Sequence, residues 1–177
     1  MTIPRFDAVG FCAHFSAAGD WAFQYALELS QRNQFQLNVF HFLSDPYRTD
    51  DDTEKKFTRS ELAELAFVRE RELRLYYDEL AGEYLEVGFR LCFDDSWREL
   101  HRCLAGREFQ ILVLAQPGPD TIFSGKPIEA FADSFVCPVV LVGPDRPDQF
   151  RLNSRAALLV DRFAIPQGKW SCIDSVA

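Results

Sequence analysis

No uninterrupted apolar run comes near the roughly 20 residues that cross a bilayer, and Met1 to Phe6 lack the basic-then-apolar pattern of an export signal. The expectation is a cytoplasmic protein. Positive charge is in short supply: 19 Lys and Arg face 27 Asp and Glu, a formal net charge of −8. A surface of that balance repels polyphosphate at long range, which disfavours nucleic acid and anionic membranes as partners but leaves room for a small anionic ligand at a locally positive site. Short-spaced cysteine pairs are missing too. The five cysteines (Cys12, Cys92, Cys103, Cys137, Cys172) include no C-x-x-C, and the three histidines (His14, His41, His101) do not cluster with them. Zinc needs convergent ligands, so no metal site is expected. Most of the cysteines lie in apolar stretches and read as small core residues of a reduced protein.

What the chain has instead is ring-rich hydrophobicity. Of its 177 residues 47% are hydrophobic and 17 are Phe, enough for one well-filled core. Strand and helix signals alternate along it. Residues 7–13 (DAVGFCA) form a short buried-strand pattern, and Asp20 is a candidate N-cap for a helix with Ala22, Tyr25, Ala26 and Leu29 inward. Residues 35–43 (FQLNVFHFL) read as a second strand, followed by an acidic loop over 44–57. Thr58 and Glu61 have capping-box spacing, which predicts a helix to about Ala81 closed by Gly82. Its apolar stripe runs Leu62, Leu65, Ala66, Leu73, Tyr76, Tyr77 and Leu80, opposite a polar face of Glu–Arg pairs. A third strand over 84–93 precedes a helix capped by Asp94 or Asp95 and closed by Gly106.

Residues 109–115 (FQILVLA) are the clearest strand, apolar on both faces, as in the middle of a parallel sheet. A loop over 116–126 leads to Pro127 at the first position of a helix reaching about Val136, then to a fifth strand over 138–142 (PVVLV). This order predicts an α/β domain over residues 1–145 with an open, mostly parallel five-stranded sheet, helices on both faces, and a C-terminal extension over 146–177. Residues 156–165 (AALLVDRFAI) read as one more strand. The fifth strand is very apolar for an exposed edge, so either this tail or a second subunit should cover it, and a homodimer through that edge or the extension is the expected assembly.

Ligands of open α/β sheets sit beyond the carboxyl ends of the strands, where helix N-termini offer unpaired N–H donors. The loop after the fourth strand holds Gly118, Gly125 and Lys126, which would bring backbone and a cation to a phosphate. It is no P-loop, since six residues separate the glycines and Pro127 follows the Lys; turn formation alone also accounts for both glycines. Enzymatic readings are weak. His14 ends the first strand in a zone suited to acid–base work or to a pair with Cys12, yet also suited to a polar cap; His41 sits in an apolar strand, and Asp94–Asp95 read as a helix start. No residue is assigned a catalytic role.

The segment Ala115-x2-Gly118-x6-Gly125-Lys126, followed by a helix and by Cys137-Pro138-Val-Val-Leu-Val, resembles the universal stress protein (UspA-like) family of the adenine-nucleotide α-hydrolase superfamily. That family has Gly-x2-Gly-x9-Gly-Ser/Thr at this point. Here Ala115 replaces the first glycine, the inter-glycine loop is three residues shorter, and Lys126 replaces the phosphate-binding hydroxyl. His14 falls where the family has an Asp that contacts the nucleotide. The resemblance implies a non-enzymatic stress-response protein with two alternatives. One binds ATP or another adenine nucleotide, with Gly118, Gly125 and Lys126 facing phosphate and His14 facing base or ribose. The other is a nucleotide-free dimeric scaffold whose crevice is filled by rings such as Phe15, Phe42 or Phe123.

Overall fold

The computed structural model describes residues 6–47, 58–163 and 170–173. β1 (Ala8–Cys12) leads through Ser16 into α1 (Ala17–Asn33), β2 (Gln36–Phe42), α2 (Arg59–Ala81), β3 (Val87–Cys92), α3 (Ser96–Ala105) and β4 (Ile111–Ala115). A two-residue hairpin, β5 (Ile122–Phe123) and β6 (Lys126–Pro127), interrupts the loop before α4 (Ile128–Ser134) and β7 (Val139–Val142). Beyond β7 come β8 (Phe150–Leu152), α5 (Ser154–Ala157), a 3-10 turn (Val160–Phe163) and β9 (Trp170–Cys172).

The central strands are apolar on both faces because both are covered: every residue of β1, β4 and β7 is buried. One face packs Val9, Phe11 and Val113 under Phe23 of α1 and Leu73 and Tyr77 of α2. The other packs Cys12, Phe40 and Leu112 under Leu100 of α3, Phe131 of α4 and Phe135 just beyond it. The strand order is β3-β2-β1-β4-β7-β8-β9. β1 pairs in parallel with both β2 and β4, so the winding reverses between β1 and β4 and opens the crevice of such folds there. Among the described residues no helix is long and apolar enough to cross a membrane.

The sheet class is as the sequence predicts, but it has seven strands where five were expected, and several boundaries move. Asp20 is not the cap of α1. Ser16 is, its backbone extended (φ −157°) and its hydroxyl accepting from Gly19 N at 3.0 Å, because the helix starts directly below the exit of β1. A Cβ on Gly19 would lie 1.7 Å from the His14 carbonyl oxygen, so only glycine fits that close approach. Asp20 sits in the first turn and accepts from the Tyr76 hydroxyl. Thr58 and Asp95 cap as their spacing predicts. Pro127 is the N-cap of α4 rather than its first residue, and the helix ends at Ser134 instead of about Val136.

The tail differs most. Residues 156–163 are not a strand but the end of α5 and the 3-10 turn, while 164–165 lie outside the described residues. The covering strand is β8, formed just upstream and antiparallel to β7, with Val140 opposite Leu152 and Val142 opposite Phe150. The fifth-strand edge, expected to be covered by either the tail or a second subunit, is therefore paired within the chain by the tail. Asn153 forces the change of structure after Leu152. Fully buried, it accepts from Val139 N at 3.0 Å and from Ala156 N at 2.9 Å, and it donates to Ala132 O at 3.0 Å and Cys137 O at 2.9 Å. One side chain thus ends β8, caps α5 and pins both to α4 and β7. Asn153→Ala leaves those buried groups unpaired, and we expect a loss of about 3 kcal/mol in urea unfolding; a loss below about 0.5 kcal/mol would show that the tail is held by other contacts.

Candidate functional site

Three exits meet at the winding reversal: residues 13–16 after β1, 43–47 after β2 and 116–125 after β4. The last was expected to offer its amides to a phosphate. Gln116 N donates to Val142 O (2.8 Å), Gly118 N to the Thr121 hydroxyl (3.0 Å), Ser124 N to Pro46 O (2.8 Å) and Ile128 N to Thr121 O (2.9 Å). The loop is folded onto itself and onto the β2 exit. Gly125 is exposed at φ +76°, at the hairpin turn. Lys126 sets its Nζ 4.5 Å from the Trp97 ring centre, a cation–π contact with α3.

Tyr47 closes the crevice from the other side. Its hydroxyl donates to Ala115 O at 2.9 Å, across the switch point to the last residue of β4. Its ring lies 4.3 Å from His14 and 5.0 Å from Phe123, both edge-on. Burial pushes the Tyr47 phenol well above its ordinary range, so it remains a neutral donor. Phe123 is fully buried beneath it; Phe15 is half exposed over α2, and Phe42 is buried in the same core cluster as Phe123, but the ring set against Tyr47 is that of Phe123.

A polar cluster locks the loop from below. Gln116 is fully buried and donates to Glu129 at 2.7 Å; Arg151 of β8 bridges to Glu129 at 2.7 Å and donates to the Gln116 side-chain oxygen. Burial raises the Glu129 carboxyl, but Arg151 and Gln116 outweigh it and hold it below the usual range. Gly143, at φ +112°, lets β7 pass within reach: a Cβ there would come 2.5 Å from Gln116 O. The only sequence signal for this cluster was Arg151 between two apolar residues, an alternation that marks a half-buried strand.

The open space lies beside the closed crevice. A cleft of about 670 Å³ sits over the exits of β1 and β2 under α2. His14, Phe15, His41, Asp45, Leu65 and Arg69 line it. Of the four residues singled out from sequence, His14 faces this cleft, while Gly118, Gly125 and Lys126 are not among its lining residues. His14 shares a hydrogen through Nδ1 with the Ser16 hydroxyl at 2.7 Å, which turns Nε2 away from that bond. Burial lowers its basicity against the pull of Asp45. His41 is lowered by burial and by Arg69, against Asp45 and Glu72. Both rings are therefore mainly neutral near pH 7, each with one donor and one acceptor. Arg69 is tied to Glu72 at 3.2 Å.

Nucleophiles are poor. Cys12 is buried in the core and its thiol pushed far up, while burial takes Cys92 and Cys103 to about 12. Such thiols stay protonated and inert. Asp95 is the α3 cap and Asp94 accepts from Asp95 N, so the pair serves the helix start. Among the described residues no three His, Cys, Asp or Glu side chains gather as metal ligands.

The architecture is similar to solved universal stress proteins. A family member from Burkholderia pseudomallei superposes with a TM-score of 0.52 at 17% identity, over 78% of this chain and 96% of that one. UspA from Lactobacillus plantarum gives 0.49 at 18%, over 80% and 100%. No protein-family model matches the chain, and no curated protein matches it in sequence. The likeness is one of fold, and the chain has the universal stress protein fold.

The two lowered histidines predict an acid-side instability. The unfolded chain protonates them at about pH 6.5 while the folded one resists, so stability is complete above that pH and declines as the pH falls towards the lower folded values. Melting temperature should drop between about pH 7 and pH 5, before Glu129 titrates, and the His14→Gln/His41→Gln double variant should flatten that slope. An unchanged slope in the double variant would assign it to other groups.

Proposed function

We propose that this chain is a non-enzymatic stress-response domain whose ligand is a nucleoside-sized heteroaromatic molecule, held in the cleft between β1, β2 and α2 rather than by phosphates at the loop after β4. One observation carries the reading: the Gln116, Gly118 and Ser124 amides of that loop already have acceptors within the chain. Anion binding at helix starts depends on free N–H groups. To recruit these for a phosphate, the chain would break hydrogen bonds worth about 1 kcal/mol each and expel the Tyr47 ring.

The neighbouring cleft suits a flat polar ring. Phe15 offers an exposed aromatic face, and neutral His14 and His41 each offer a donor or acceptor to a heterocycle edge. Adenosine or AMP fits this description without the triphosphate cradle, with His14 towards the base. The non-enzymatic character is supported by the protonated buried thiols and by His14 being engaged with Ser16. The stress-response role is supported by the fold neighbours.

A second reading, a nucleotide-free scaffold, is favoured by the Tyr47–Phe123 ring pair that occupies the switch point. Calorimetric titration with adenosine, AMP, ADP and ATP separates the two. The first reading expects adenosine and AMP to bind at least as tightly as ATP, and His14→Ala to weaken them by about tenfold. Stepwise tightening with each added phosphate would overturn it, and no heat from any of the four would favour the scaffold.

A further inference from the structure

α2 has two apolar faces, and only one is used. Leu73, Tyr77 and Ala81 are buried on the sheet. On the opposite side Phe67 is 69% exposed, Val68 49% and Leu75 66%. At 100° per residue these three share a stripe with Ser60, Glu64, Arg71 and Asp78, all exposed. No residue from 59 to 72 is buried, so the first half of this 23-residue helix stands on the surface with its aromatic stripe outward.

The charges of the stripe are arranged unlike those beside it. Arg69 pairs with Glu72 and Arg74 with Glu70, each within the helix, and Arg74 also covers Phe89. Glu64 and Arg71 have no opposite charge three or four residues away; their neighbours at those spacings on the stripe side are Phe67, Val68 and Leu75. Seven residues, about 10 Å of rise, keep them from meeting each other. A second α2 lying antiparallel, with a two-fold axis between Phe67 and Val68, resolves this. Glu64 then faces Arg71 of the partner, and Arg71 faces Glu64 of the partner. Phe67 packs on Val68 of the partner and Val68 on Phe67 of the partner, and Leu75 meets the small Ser60 of the partner. Self-complementarity about an axis is the requirement of a two-fold interface.

We infer that the outward face of α2 is a homodimer interface, built as an antiparallel helix pair centred on Phe67 and Val68 and bracketed by two Glu64–Arg71 ion pairs. The partner is a second copy because the pattern reads the same from both ends, and the fifth-strand edge, where a partner was expected, is already occupied by β8. A face of one helix makes a small contact, of the reversible kind.

Sedimentation velocity of the full chain tests it. The wild type should dimerise at micromolar concentration, and Leu75→Glu should give monomer. Glu64→Arg and Arg71→Glu move the net charge in opposite directions, yet each should weaken the dimer by about tenfold, and the double reversal should restore it. All three positions are on the surface, so melting curves that match wild type confirm folding in each variant. A wild type that stays monomeric overturns the proposal and leaves the stripe to a foreign partner. A dimer indifferent to Leu75→Glu, or a double reversal as weak as the single ones, overturns it as well.

Discussion

Backbone groups removed from water must be paired, and at the carboxyl end of β4 that requirement is met from inside the chain. Val142 takes the Gln116 amide, Pro46 takes the Ser124 amide, and Ala115 accepts from the Tyr47 hydroxyl. An unmade hydrogen bond in so dry a place costs about 1–3 kcal/mol, so the arrangement is stable against a ligand that would need the same donors. The exits of β2, β4 and β7 are tied together by it. Closure on this side displaces the open volume to the other side of β1, where His14, Phe15 and His41 line the cleft. The cleft lies beside that closure, and burial lowers the basicity of both histidines that line it.

The aromatic content explains how the closure is built. Rings on one face of the sheet stack from Phe40 through Phe109 to Phe135 and Phe131, with centroids 5.6, 6.4 and 5.3 Å apart. Phe123 joins this set at 4.5 Å from Phe131 and carries Tyr47 above it. The plug at the switch point is thus the outermost layer of the core rather than a separate lid. The hairpin β5–β6 exists to turn Phe123 inward: Ile122 and Phe123 pair with Lys126 and Pro127 across a turn at Ser124 and Gly125. Gly125 makes that turn at φ +76°, while Gly118 lies upstream and donates to the Thr121 hydroxyl.

The C-terminal segment closes the sheet on the far side by the same principle. β8 satisfies the edge of β7, and Asn153 satisfies the backbone around the change of direction. Arg151, pointing from β8 to Glu129 and Gln116, links this edge to the loop after β4. The tail is therefore part of the site's architecture. α2 is the element left with surplus apolar surface, and it alone both roofs the cleft, through Leu65 and Arg69, and presents Phe67, Val68 and Leu75 to solvent.

Local chemistry was enough to read the alternation of elements, the parallel sheet with its central fourth strand, the caps at Thr58 and Asp95, and the fold resemblance. Each rests on spacing within one segment: apolar runs buried on both faces, a hydroxyl three residues before a carboxylate, a glycine after a helical stripe. Contacts between segments decided the rest. Ser16 displaced Asp20 as a cap because the exit of β1 lies over the helix start. An apolar run at 156–163 became helix and turn because Asn153, buried by its neighbours, ended the strand before it. The amides beside Gly118 and Gly125 found acceptors in Val142, Pro46 and Thr121, and Lys126 found Trp97. A hydrogen bond between residues distant in the chain leaves no periodicity behind, so whether a glycine-rich loop is open to a ligand is settled only when the strands on either side have come together.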